Sequence, residues 1–81
     1  MSGSVVGRVG VVRVPVRGPS SPGEVEITLS GLAEGFIAYS PERIARDAAV
    51  LVIHDRGDRS VDVVPWSFPP GLGVDDAAGR L

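Results

Sequence analysis

Cysteine and lysine are both missing from this 81-residue chain, histidine occurs once, and only Phe36, Tyr39, Trp66 and Phe68 are aromatic. Without cysteine there is neither a disulfide framework nor a thiolate metal site. No apolar run reaches the roughly 18 residues that a membrane-crossing helix needs, so no direct membrane insertion by this chain is expected. The start "MSGSVVGRVG" lacks the basic head and uninterrupted apolar stretch of a signal peptide. The expectation is a chain that is soluble in isolation, in a cytoplasmic or membrane-peripheral bacterial setting. The formal charge of −2 gives no general pull toward nucleic-acid phosphates.

What is present is valine, glycine and proline. Apolar residues make up 43% of the chain, mostly as valine, alongside 11 glycines and 7 prolines. Branched Cβ atoms favour extended backbone, and the frequent turn formers leave little room for a long helix. The length allows one domain, near the lower limit for a single hydrophobic core. All eight basic residues are arginine, a usage that fits a GC-rich, actinobacterial genome.

"VVGRVGVVRVPV" (5–16) reads as a long first strand, with Val12, Val14 and Val16 on one face and Val9, Val11 and Arg13 on the other. Gly7 and Gly10 mark bulges or close backbone approach, and Pro15 ends the pairing. "RGPSSPG" (17–23) is a loop. In "GEVEITLSG" (23–31), Val25, Ile27 and Leu29 alternate with Glu24, Glu26 and Thr28, giving a strand with one dry face and one acidic face. A turn in 32–35 precedes a short third strand around Phe36–Tyr39. "PERIARDA" (41–48) predicts one helical turn, with Ser40 as N-cap and Pro41 at the first helical position. "AVLVIHD" (49–55) is a fourth strand, "DRGDR" (55–59) a hairpin turn around Gly57, and "SVDVVPW" (60–66) a fifth strand. Residues 67–81 lose all periodicity and read as a flexible C-terminal tail.

Five strands with a curved first one predict an all-β, small five-stranded OB-fold-like barrel over 5–66, with an SH3-like barrel as the alternative. The expected core is Val12, Val14, Val25, Ile27, Leu29, Val50, Val52, Val61 and Val63, with Ile44 and Phe36 as plugs.

Candidate chemistry is sparse. His54 adjoins Asp55, but neighbours on a strand point to opposite faces, and neither a second ligand nor a nucleophile stands at a recognisable spacing. Ser20, Ser21 and Ser40 have no G-x-S-x-G elbow and no lysine partner. "GRVG" (7–10) is not G-x-G-x-x-G and opens no helix. "RGD" (56–58) is better explained by turn chemistry than by adhesion. No catalytic, cofactor-binding or metal-binding residue is therefore assigned, and no small-molecule substrate. Single-stranded nucleic-acid binding is the alternative activity for such a barrel. Arg8, Arg13, Arg17, Arg56 and Arg59 would form its patch, with Phe36 or Tyr39 for stacking. Glu24, Glu26, Asp58 and Asp62 lie among the same strands and turns and oppose it.

Certain placements add up to a resemblance. "GRVGVVRVPVRGPSSPGEVEITLSG" followed by "EGFIAYSPERIARDAAVLVIHDRGDRSVDVVPW" is similar to the soluble C-terminal domain of NfeD-like membrane proteins. The features that carry it are G-V-V before a proline-containing segment, P-G-E-V-E-I, the aromatic F-I-A-Y-S, V-L-V-I, and the closing V-D-V-V-P. The resemblance implies a five-stranded OB-fold domain that usually hangs from transmembrane helices, with or without an upstream serine protease domain. It also implies stomatin/flotillin-like membrane scaffold proteins as partners. The family's protease residues have no counterparts here, so none is carried over. The expected role is a non-enzymatic protein-interaction module that works through exposed loops or an open strand edge.

Overall fold

A computed structural model describes residues 5–66, which form five strands: β1 (Val9–Val14), β2 (Gly23–Leu29), β3 (Leu32–Tyr39), β4 (Ala49–Gly57) and β5 (Ser60–Pro65). The tail expected over 67–81 lies outside the described residues. The strands close into a barrel in the order β1-β2-β3-β5-β4, with β4 paired back to β1. Every pairing is antiparallel except β3 with β5, where Ile37, Ala38 and Tyr39 run alongside Ser60, Val61 and Asp62. One parallel closure in this order is the OB connectivity, and it decides against the SH3-like alternative. Closure also removes the open edge expected as an interaction surface.

Both hairpins turn over two residues at positive φ, the geometry that matches strand twist. Ser30 and Gly31 (φ 52° and 82°) join β2 to β3, so β3 starts at Leu32 rather than at Phe36. Asp58 and Arg59 (φ 53° and 59°) join β4 to β5. The second turn is therefore centred one residue beyond Gly57, which still pairs with Ser60 at the end of the ladder.

The core holds Val12, Val16, Val25, Ile27, Ala38, Val50, Val52, Val61 and Val63, plugged by Phe36, Ile44 and Val5. Each valine, isoleucine or phenylalanine among them, fully buried, contributes about 1.5–3 kcal/mol. Two expected members differ: Leu29 is only partly buried against the cluster, and Val14 is 46% exposed. The cause is a bulge in β1. Val12 faces Val25 while Val14 faces Glu24, so Arg13 is an extra residue and the alternation slips by one. Beyond the strand, Val16 returns to the interior through an isolated bridge to Ile44.

That bridge also explains why 41–48 does not form the expected helical turn. Val16 and Ile44 exchange both backbone hydrogen bonds (Val16 N to Ile44 O, 3.0 Å; Ile44 N to Val16 O, 2.9 Å), which holds Ile44 extended. A tight turn follows it, with Ala48 N–H donating to Ala45 O at 3.2 Å and Asp47 at φ 72°. The capping contact still forms, because Glu42 N–H donates to Ser40 Oγ at 3.1 Å. A local helix signal is present, and a long-range pairing overrides it.

Gly10 faces inward beside Val50. A Cβ there would lie 2.7 Å from Val25 Cγ2 and 2.9 Å from the Glu26 carbonyl oxygen, so β1 approaches β2 more closely than any side chain allows.

Candidate interaction surface

The outer wall is apolar where β1, the first half of β4 and the end of β5 meet. Val9 pairs with Leu51, which pairs with Val64, giving a row across three strands. Val11 beside Ala49 forms the next row, and Trp66 closes it with an N–H donated to the Ala49 carbonyl at 3.0 Å. Val9 (45%), Ile53 (50%) and Trp66 (37%) keep large fractions of their surface in solvent. Alternation in β1 puts Val9 and Val11 on one face, but the sequence does not tell that Leu51 and Val64 lie beside them. The uninterrupted "AVLVI" was the signal of this face, since a strand without polar positions has two apolar faces.

At the far end of β4, two further bulges re-aim side chains. The partners run Val52–Val63, His54–Asp62, Asp55–Val61 and Gly57–Ser60, so Ile53 and Arg56 are the extra residues. His54 therefore meets Asp62, with Nδ1 3.2 Å from Oδ2, instead of acting with Asp55. Arg56 binds the same carboxylate through Nε (3.0 Å to Oδ2) and Nη2 (2.8 Å to Oδ1). The Arg56 hydrogen bonds hold the Asp62 carboxyl below its ordinary range, against partial desolvation that acts the other way. Asp55 instead accepts the Gly57 N–H at 2.8 Å, so "RGD" is a constrained hairpin with its arginine already engaged.

The residues proposed for base stacking are likewise occupied. Arg56 sits over Tyr39 at 3.9 Å, and Arg59 over the buried Phe36 at 5.0 Å while pairing with Glu34 at 3.0 Å. Arg13 is held by Glu26 at 2.9 Å and by Asp47 at 3.4 Å. Of the five arginines in the expected patch, only Arg8 and Arg17 make no ion pair among the described residues. Glu24 stays exposed and Glu26 is neutralised, so the acidic wall of β2 is only half free. Ser40 is buried and serves as a cap, while Ser20 and Ser21 lie exposed in the β1–β2 loop. Among the described residues, no group of three or more His, Cys, Asp or Glu could hold a metal ion. Nor is any helix long and apolar enough to cross a membrane.

Residues 9–64 match the family model of the NfeD C-terminal domain. The chain belongs to this family. Among solved structures, the soluble domain of the NfeD protein YuaF from Bacillus subtilis is similar, at 28% identity and a TM-score of 0.64, covering 75% of this chain and 73% of that one. No curated protein sequence matches. The NfeD-type barrel is thus built here with an apolar outer patch where β1, β4 and β5 meet, and with Phe36 and Tyr39 under arginines.

Proposed function

We propose that this NfeD-type barrel is a non-enzymatic protein-interaction module that acts with a stomatin/flotillin-like membrane scaffold protein. The observation that carries the reading is the Val9–Leu51–Val64 row with Ile53 and Trp66 beside it. Apolar side chains gathered on one outer wall favour contact with another protein surface. Because the barrel is closed, that contact is made by side chains and not by adding a strand. Nucleic-acid binding is the weaker reading, since both candidate stacking rings already carry arginines.

The test is capture of a stomatin/flotillin-like scaffold protein by the full chain, quantified by titration calorimetry. Ile53→Asp and Val9→Asp, with melting curves to confirm folding, are expected to weaken binding at least about tenfold. Failure of the unmodified chain to bind the scaffold protein, or undiminished binding by both folded variants, overturns the reading.

A further inference from the structure

We propose that the groove between the β1–β2 loop and the β3–β4 segment binds a phosphate group, carried by a small phosphorylated molecule or by a lipid headgroup. The groove has a volume of about 370 Å3 and is lined by Arg17, Arg43 and Arg46 around Pro15, Val16 and Ile44. All three arginines are exposed, and none of their guanidiniums makes an ion pair or hydrogen bond with another described residue. Arg13, Arg56 and Arg59, by contrast, each hold a carboxylate. The acids next to the groove in sequence do not line it: Asp47 is turned to Arg13, and Glu42 lies outside. On a chain of net charge −2, three uncompensated cations in one concavity are a local feature and not a reflection of bulk charge.

The number of cations selects the ligand. One carboxylate saturates a single guanidinium fork, whereas a phosphate offers enough acceptor oxygens for three guanidiniums. Pro15 and Ala45 are the accessible apolar residues of the groove and lie beside the carbon skeleton of the ligand, with Val16 and Ile44 buried beneath them. The backbone beneath the arginines is already fixed. The Val16–Ile44 bridge clamps the two segments together, Arg17 N–H donates to Ser21 O at 3.0 Å, and Asp47 N–H donates to Val12 O at 2.7 Å. Binding then orders the three arginine side chains but no backbone. The groove shares no residue with the apolar wall, so the two sites succeed or fail independently.

The experiment titrates the 15N-labelled full chain with glycerol 3-phosphate, inorganic phosphate and acetate, and sediments it with phosphatidylglycerol or phosphatidylcholine vesicles. The expected result is phosphate-dependent amide shifts confined to residues 16–18 and 43–46, weakening as salt is raised. Each of Arg17→Gln, Arg43→Gln and Arg46→Gln weakens binding about tenfold, and the triple variant loses it. Arg8→Gln removes an unpaired arginine outside the groove and leaves binding unchanged. Binding of glycerol 3-phosphate without vesicle binding identifies a soluble phosphoester; binding to phosphatidylglycerol vesicles alone identifies a headgroup. No response to any phosphate source, equal response to acetate, or a folded triple variant that binds like Arg8→Gln overturns the proposal.

Discussion

The Arg56 guanidinium lies 3.9 Å above the centre of the Tyr39 ring and grips Asp62 from there with two hydrogen bonds, of 3.0 and 2.8 Å. The carboxylate thus ionises more readily in the folded chain than in the unfolded one. A lowered folded pKa adds stability that is fully present above the unfolded value of about 3.9 and is lost as pH falls through the lower folded value. Asp62→Asn is expected to lower Tm at pH 7 by about 2–5 °C, the size of a partly exposed ion pair in a small domain. In acid the two melting temperatures converge. A gap of the same size at pH 7 and near about pH 2 would show that the carboxylate's charge is not what matters.

The β1 bulge separates two valines that strict alternation treats alike. Val12 is fully buried and Val14 is 46% exposed. Val12→Ala should cost about 1.5–3 kcal/mol by urea unfolding. Val14→Ala should stay within about 0.5 kcal/mol. Equal costs would mean that the strand carries no extra residue at Arg13.

Gly10→Ala reverses the usual benefit of replacing glycine in a strand. The added methyl meets Val25 Cγ2 at 2.7 Å and the Glu26 carbonyl at 2.9 Å, in a wall with no spare volume. A loss of about 1–3 kcal/mol is expected from overpacking. Adding Val25→Ala makes room, so the double variant should lose less than the sum of the two single changes. Strict additivity would show that the crowding is relieved elsewhere.

Much of the barrel was legible because each hairpin carries its own pattern. Val25 and Ile27 alternate with glutamates, and Val61 and Val63 with Ser60 and Asp62, so their inward faces could be read without knowing the partner strand. The plugs were legible as large apolar residues, Phe36 within the third strand and Ile44 between the third and fourth. Bulges were not, because an extra residue exists only relative to the strand opposite. Val14 was therefore placed inside, and His54 was considered with Asp55 instead of Asp62. Segment 41–48 misled for the opposite reason: Ser40 and Pro41 are true local helix signals, but the Val16–Ile44 bridge spans 28 positions of the chain. The apolar outer wall needed both the register and the closure of the ring before Val9, Leu51 and Val64 could be seen as neighbours.

The two surplus residues of β4 make its residue count a determinant in its own right. Removing Ile53 would not shift the ladder, because Val52–Val63 and His54–Asp62 follow one another directly without it; it would straighten the strand and reduce its local twist at that point. Single deletions at 53 or 56 should therefore change the curvature of β4 and spare its pairing, whereas a deletion within the regular stretch 49–51 puts the inward Val50 out of register with both β1 and β5.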